Sequence, residues 1–191
     1  AWQLLVSVRL AAQCTDARVN IVVQDLFAKY PSVAALAEAE PEDIEAIVKP
    51  CGLGRSKARD ISACMRMLRD KYDCQVPATF EELLALPGVG RKTANVLGAV
   101  LWQKEVMPVD THVFRVSERI GLTTRSKTPL QTELTLEKNI PGHLLPLAHH
   151  WLILHGRYVC VARAPKCDEC GIATWCRKYA ADHRQPKTLK I

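Results

Sequence analysis

Apolar side chains recur at intervals of three and four residues along most of the chain, which is the spacing of one face of an α-helix. The pattern is clearest in TDARVNIVVQDLFAKYPS from residue 15, in PEDIEAIVKP from residue 41 and in SKARDISACMRMLRDKY from residue 56. No convincing stretch alternates between apolar and polar residues with the period of two that marks a β-strand. The sequence therefore predicts an all-α fold.

Two capping boxes in the sequence indicate where helices begin. Thr79 is followed three residues later by Glu82, ahead of FEELLAL, and Thr128 is followed by Gln131 in TPLQTELTLEKNI. In such a box the hydroxyl and the acid or amide three residues later each bond a backbone N–H that the helix leaves unpaired. Both segments are therefore predicted to begin helices.

One short motif occurs twice. GLGRSKA at residues 52–58 resembles GVGRKTA at residues 88–94, thirty-six residues later. Two copies are too few for a solenoid, which needs at least three repeats to bury its faces. We therefore expect two related turns between helices.

The second copy lies in LALPGVGRKTANVLGAV, where Pro87 ends one helix and another begins near Arg91. Gly88 and Gly90 allow positive φ and a close approach of the backbone. The free N–H groups and positive dipole end of the second helix then form an anion site. A simple helix–helix connector is the alternative. A nucleotide-binding P-loop is excluded, since it needs a preceding strand and an adjacent Gly-Lys pair.

The amino-acid composition limits which classes of protein this chain can belong to. The 191 residues suffice for one sizeable core or two small domains, and 48% hydrophobic with 24% charged residues is ordinary for a globular protein. No apolar run approaches the roughly 20 residues of a membrane span, and the N-terminal stretch is a poor signal peptide. The net charge of +6 favours an anionic partner without identifying one. The basic C-terminal tail, HRQPKTLKI, is expected to be a solvated terminus.

Half of the eight cysteines cluster within seventeen residues, with the spacing C-x6-C-x2-C-x5-C: Cys160, Cys167, Cys170 and Cys176. Such clustering indicates a metal site in a reducing compartment. Four thiolates suit zinc or an iron–sulfur cluster, and the presence of only one CxxC pair weakens the case for zinc. A structural disulfide is the remaining alternative. The other four cysteines are expected to be packing residues or incidental thiols.

Several motifs in the same order resemble the endonuclease III family of helix-hairpin-helix DNA glycosylases. They are LPGVGRKTA at 86–94, VDTH at 109–112, AAQCTD at 11–16 and HWLILHGRYVC at 150–160. The resemblance covers essentially the whole chain, which is expected to begin inside the family's usual N-terminus. It identifies the expected metal group as a [4Fe–4S] cluster held by the four clustered cysteines.

The resemblance implies two helical lobes with DNA crossing the cleft between them. Residues 1–106 would form a six-helix lobe with the hairpin, and residues 107–191 a lobe with the cluster. The implied activity is that of a bifunctional DNA glycosylase/AP lyase, which removes oxidised pyrimidines and then cuts 3′ to the abasic site. The expected partner is duplex DNA with a damaged pyrimidine or abasic site, bound by a monomer in a reducing bacterial cytoplasm.

Within this family pattern, Lys92 matches the Schiff-base lysine and Asp110 matches the catalytic aspartate. The helix N-terminus, Arg91 and partial desolvation would favour a neutral, nucleophilic Lys92 amine, whereas Asp110 would favour the charged form. Asp110 is also a good N-cap for HVFRVSERI, and the two roles are compatible.

Further residues would contact DNA. By resemblance, Gln13 and Leu53 enter the duplex from two loops, although Leu53 is equally explained as a buried turn contact. The hairpin would contribute Gly88, Gly90 and Arg91 to phosphate binding, and three more basic residues are candidate backbone contacts: Arg157, Arg163 and Lys166.

The sequence is also compatible with three other kinds of protein. The related mismatch glycosylases for adenine and thymine lack a lysine at the position of Lys92, so that residue favours the bifunctional enzyme. A non-catalytic DNA-binding module could use the hairpin and the basic loop, but Lys92 together with Asp110 argues against it. A zinc-bound structural protein is the remotest alternative.

Overall fold

A computed structural model describes residues 1–183 of the chain, so all but the first residue of the basic C-terminal tail lies outside the described part. Eleven α-helices and no β-strand occur within this range. The predicted all-α fold is therefore confirmed. The described residues include no helix with both the length and the hydrophobicity of a membrane span.

The chain divides into two compact units, between Trp102 and Gln103, four residues before the boundary expected from the sequence. The first unit has seven α-helices rather than six, because Ser32 caps a separate short helix with a bond of 3.1 Å from the Ala35 N–H. The helices are α1 (Trp2–Leu10), α2 (Asp16–Lys29), α3 (Val33–Glu38), α4 (Pro41–Val48), α5 (Gly54–Lys71), α6 (Phe80–Ala85) and α7 (Arg91–Trp102), with a 3₁₀ turn at Lys49–Cys51.

The core of the first unit forms around α5, which packs against α1, α3 and α4. Its apolar positions follow the helical spacing of the sequence, and Ile61, Met65 and Leu68 of α5 are buried beside Leu36 of α3 and Ile44 of α4. Burial of such a contiguous apolar set is the main force that holds the helices together.

The second unit, described from Gln103 to His183, has a smaller core. Met107, Val113, Val116, Leu136 and Leu152 are buried there. The central contact is between α8 and α10. Its helices are α8 (Thr111–Ile120), α9 (Pro129–Asn139), α10 (Leu145–Tyr158) and α11 (Arg177–Asp182), with 3₁₀ turns at Gly142–Leu144, Cys167–Glu169 and Ala173–Trp175.

Both predicted capping residues begin helices. The Thr79 hydroxyl accepts a hydrogen bond from the Glu82 N–H at 3.3 Å, and the Thr128 hydroxyl accepts one from the Gln131 N–H at 3.2 Å. The Gln131 side chain reaches back to the N–H of Lys127 rather than to that of the cap. The starts of α6 and α9 are thus fixed by local chemistry that the sequence alone reveals.

The turn between α6 and α7 depends on Gly88. Its φ is +77°, and a β-carbon there would lie 2.8 Å from Cβ of Asp60 and 3.0 Å from Nε of Arg9. Arg9 of α1 pairs with Asp60 of α5, the Nε–Oδ2 distance being 2.8 Å. Gly90 differs from the expectation, since its φ is not positive, and the space beside it is open.

We predict that Gly88→Ala lowers the free energy of unfolding by roughly 1–3 kcal/mol, because the new methyl combines positive φ with a steric clash. Gly90→Ala is the matched control and should cost less than about 1 kcal/mol, since it meets neither obstacle. Urea denaturation of both variants measures the difference. Equal stability of the two variants would contradict this account of the turn.

Candidate nucleic-acid interface and metal centre

The hairpin presents a basic helix start. Lys92 is the second residue of α7 and is exposed. The neighbouring Arg91 guanidinium carbon lies 5.0 Å from the centre of the Phe80 ring, a cation–π contact that holds this side chain against α6. The first N–H groups of α7 have no acceptor one turn earlier in the helix, so this end attracts anions. The turn thus combines an anion site with an exposed primary amine.

The two glycine motifs place their apolar residues differently. Leu53 is 56% exposed, whereas Val89, at the corresponding position of the hairpin, is only 9% exposed. Leu53 also has φ of +51° and lies directly before the first residue of α5. The alternative that Leu53 is a buried turn contact is therefore wrong.

Gln13 has a similar conformation in the loop between α1 and α2. It is exposed and has φ of +55°. The left-handed region costs a residue with a β-carbon on the order of 1–3 kcal/mol and persists only where the surroundings impose it. Such strain at an exposed tip indicates a functional constraint.

Asp110 caps α8, as the sequence predicted. Its Oδ1 accepts a hydrogen bond of 2.8 Å from the Val113 N–H. The side chain is half-buried. Lys92 belongs to the first unit and Asp110 to the second, and each is placed at the start of a helix within its own unit.

The four clustered cysteines line one cavity of the second unit. All eight cysteines are free thiols, so the disulfide alternative does not hold for this structure. A single zinc ion needs its ligands to converge within about 2.3 Å of one point. In the described part of the chain no group of three or more His, Cys, Asp or Glu side chains does so. The shared cavity makes the four clustered cysteines candidate ligands of one metal group.

The electrostatics of this cavity suit a cationic metal core. Burial raises the pKa of the Cys167 thiol, and the neighbouring Cys160 raises it further, while Lys178 opposes them. Bound metal reverses such an effect, because a coordinating thiol is deprotonated by the ion's charge. His155 lies 3.8 Å from Cys170 through its Nε2 atom, and burial lowers its pKa. His155 therefore packs against the cavity.

Two arginines of α8 hold the cysteine loop, and the sequence reasoning missed both. Arg119 donates hydrogen bonds to the carbonyls of Val161 at 2.8 Å and Ala162 at 2.9 Å, and its Nη1 lies 3.5 Å from Cys160 Sγ. Arg115, one turn earlier, donates to the Cys160 carbonyl at 3.3 Å. Their spacing of four residues places both on one face of α8, which was the available signal.

Glu118 also supports the metal centre. It accepts hydrogen bonds from Thr123 Oγ1 at 3.2 Å, from the Arg125 N–H at 3.1 Å and from Arg177 at 2.8 Å. Burial opposes ionisation, but these donors prevail and hold the pKa of the carboxyl below its usual value. Glu118 therefore ties the end of α8 to the residue that follows Cys176.

The predicted phosphate contacts of the second unit lie at its surface. Arg163 and Lys166 are exposed in the loop between the first two clustered cysteines, and Arg157 is exposed near the end of α10. Between them, Ala164 has φ of +50°. The loop therefore presents two basic side chains on a backbone fixed by the bonds from Arg119.

Comparison with known proteins matches two family models. Residues 6–142 match the HhH-GPD superfamily of base excision DNA repair proteins. Residues 160–176, which contain all four clustered cysteines, match the iron–sulfur binding domain of endonuclease III. The first match contains the hairpin, and the second contains the four cysteines that line the cavity.

Individual relatives agree with the family models. The chain is 47% identical to the endonuclease III of Rickettsia felis over 93% of this chain and 83% of that protein. It is 41% identical to the Escherichia coli endonuclease III, over 92% and 82% of the two chains. Among solved structures it resembles a trapped endonuclease III–DNA covalent intermediate, with 43% identity, a TM-score of 0.89, and coverage of 95% and 85%.

The cap at Asp110 yields a stability prediction. Asp110→Ala should lower the free energy of unfolding by about 1 kcal/mol, because the Val113 N–H loses its acceptor, whereas Asp110→Asn should retain the cap. Thr128→Ala removes a cap elsewhere in the same unit and provides a reference of similar size. Thermal unfolding measures all three variants. If the Asn variant is as unstable as the Ala variant, the charge rather than the hydrogen bond stabilises α8.

Proposed function

The chain belongs to the endonuclease III family of HhH-GPD base excision DNA repair proteins, and on this premise we propose that Lys92 is its nucleophile and Asp110 its catalytic carboxylate. As a member of this family it is a DNA glycosylase/AP lyase that binds DNA and carries a [4Fe–4S] cluster. The observation that carries the assignment of Lys92 is its exposed position in the first turn of α7, beside the glycine turn.

The substrate we propose is duplex DNA with an oxidised pyrimidine or an abasic site, bound by a monomer in a reducing cytoplasm. The net charge of +6 favours such a polyanionic partner. The related solved structure described as a trapped covalent intermediate with DNA supports a nucleophilic mechanism for this chain too.

The reaction needs a neutral amine and a proton acceptor. The Lys92 amine attacks C1′ of the damaged nucleotide, the bond from C1′ to the base breaks, and the base departs with a proton. The C1′–O4′ bond of the sugar then breaks, O4′ takes up a proton, and a protonated Schiff base forms between C1′ and the lysine nitrogen. This Schiff base acidifies the C2′ hydrogens, and loss of one of them expels the 3′ phosphate. Water then hydrolyses the imine and frees Lys92. The amine thus acts as a covalent catalyst.

Asp110 serves this sequence through its second carboxylate oxygen. Oδ1 is committed to the Val113 N–H, which fixes the orientation of the carboxylate. Oδ2 can then accept a proton released in the reaction or stabilise the positive charge that develops on the sugar. The capping bond and the chemistry therefore use different atoms of one side chain.

Gln13 and Leu53 would fill the gap left by an extruded base. Extrusion costs a few kcal/mol in lost stacking and pairing. An exposed leucine at a loop tip acts as an apolar wedge between bases, and a glutamine amide can pair with the orphaned partner base. Their exposure and left-handed backbone support these roles.

Phosphate binding would come from both units. In the hairpin, open space beside Gly90 allows a phosphate to approach the amides at the start of α7, with Arg91 adding charge. In the second unit the exposed basic residues Arg157, Arg163 and Lys166 would contact the backbone.

We propose the four clustered cysteines as the ligands of the [4Fe–4S] cluster: Cys160, Cys167, Cys170 and Cys176. The bound cluster would cross-link this irregular segment of the second unit. Its loop could then present Arg163 and Lys166 at fixed positions, helped by the carbonyl bonds from Arg119.

Covalent trapping tests the central assignment. The protein is incubated with a duplex containing one thymine glycol, and borohydride is added to reduce any Schiff base. We expect wild-type protein and the control Lys138→Gln, an exposed lysine of α9, to form an adduct. Lys92→Gln should form none, because an amide cannot form the imine. An adduct that survives Lys92→Gln would contradict the assignment.

Asp110→Asn tests the carboxylate separately from the cap. We expect the folded variant to bind the same duplex but to lose at least about a hundredfold in single-turnover rate, as for loss of a positioned acid–base group. Wild-type turnover by this variant would leave Asp110 with its capping role alone.

A further inference from the structure

Lys57 is a charged side chain with none of its surface exposed. It lies in the first turn of α5, within the motif GLGRSKA, where a lysine would ordinarily reach solvent. Its Nζ donates hydrogen bonds of 2.8 Å to two main-chain carbonyls, those of Leu10 and Cys51. The ammonium group is therefore a buried link between two segments of backbone.

The two carbonyls belong to the segments that carry the proposed wedge residues. Leu10 is the last residue of α1, three residues before Gln13. Cys51 is the last residue of the 3₁₀ turn, two residues before Leu53. One side chain thus joins the bases of both loops, close to their tips.

Burial of the Lys57 ammonium group carries a substantial desolvation penalty, which the two hydrogen bonds offset. Removing an ammonium from water is costly unless hydrogen bonds compensate it, and an apolar side chain of similar volume would avoid the penalty altogether. Burial also lowers the pKa of Lys57, although either protonation state has N–H groups to donate. A buried ammonium group that bonds to the main-chain carbonyls at the bases of two loops is better explained by the loop geometry it imposes than by net stability.

The conformations of the loop tips agree with such a constraint. Gln13 and Leu53 both have positive φ, which a side-chain-bearing residue maintains only when its surroundings determine the backbone. In the related hairpin motif the position that corresponds to Lys57 is Thr93, and Val89 there is buried rather than exposed. The lysine accompanies the motif whose apolar residue is at the surface.

We propose that Lys57 is a positioning residue for lesion recognition, which holds the Gln13 and Leu53 loops at a fixed separation so that both enter the duplex together. This inference rests on the roles proposed above for those two residues. Lys57 touches neither the substrate nor the reacting atoms, and its effect is transmitted through the Leu10 and Cys51 carbonyls.

The first test compares discrimination between damaged and undamaged DNA. Lys57→Met keeps most of the length of the side chain and removes its donors. Lys71→Met, at the exposed end of α5, is the matched control. Each dissociation constant is measured for a duplex with one tetrahydrofuran abasic analogue and for the same duplex undamaged. We expect Lys57→Met to reduce the ratio of the two constants about tenfold or more, as for lost hydrogen bonds to a charged group, with undamaged binding unchanged.

A mutant cycle separates positioning from general damage to the fold. In the background Gln13→Ala with Leu53→Ala, the tips are already absent, so adding Lys57→Met should reduce discrimination no further. A further loss equal to that seen in the wild-type background would overturn the inference.

The outcomes also distinguish this inference from the roles on which it rests. If the Gln13→Ala and Leu53→Ala pair reduces discrimination but Lys57→Met does not, the positioning role alone is wrong. If the pair itself has no effect, the wedge roles are wrong and the inference fails with them.

Hydrogen exchange on the wild-type protein tests the link without any substitution, and replaces the variant if Lys57→Met does not fold. Amides at residues 11–15 and 51–54 should open with a common free energy, because one side chain holds both segments. Independent opening of the two loops would overturn the inference.

Discussion

The position of the hairpin depends on an ion pair that lies beneath its turn. Arg9 of α1 donates to Asp60 of α5 through Nε and Nη2, with both side chains largely shielded from water. Gly88 sits so close above this pair that no side chain fits between them. The constraint fixes where α7 begins, and α7 in turn carries Lys92 in its first turn. The lysine proposed as the nucleophile is thereby anchored to α1 and α5, which both contribute to the core of its unit.

The second unit applies the same principle with a different helix. Asp110 begins α8, and two arginines farther along α8 bond the carbonyls of the cysteine loop. The proposed catalytic carboxylate and the segment that surrounds the metal cavity therefore share one rigid element. Glu118 extends this support to the residue after Cys176. An irregular loop acquires a defined conformation in this way, since its backbone groups are paired with α8 rather than with a neighbouring strand or helix.

Sequence reasoning predicted what local chemistry determines. The helical class follows from periodicity, the starts of α6, α8 and α9 from their capping residues, and the metal site from the spacing of four cysteines. It failed where distant packing decides. Nothing in GLGRSKA distinguishes an exposed Leu53 from a buried one, and the basic run around Lys57 has the appearance of a solvated helix face.

The extra helix and the geometry of Gly90 also lay outside what the sequence shows. Ser32 caps α3, whose six residues are too few to display a helical period, and α4 starts separately at Pro41. Gly88 and Gly90 permit positive φ equally, but only Gly88 lies against the ion pair that requires it. The freedom to adopt positive φ is a property of glycine itself, whereas the packing that requires positive φ at residue 88 comes from α1 and α5.

Strain and burial in the first unit together preorganise the two loops that are proposed to enter the duplex. Holding Gln13 and Leu53 in the left-handed region raises the energy of the free protein by on the order of 1–3 kcal/mol for each residue. A flexible loop would avoid that cost but would lose conformational entropy on every encounter with a lesion, at about 1–2 kcal/mol per ordered residue. Extrusion of a base already requires several kcal/mol from the binding energy. Loops that are ordered before binding leave more of that energy for the extrusion. The entropic cost of ordering them is offset when the core around α5 folds, and not when DNA binds.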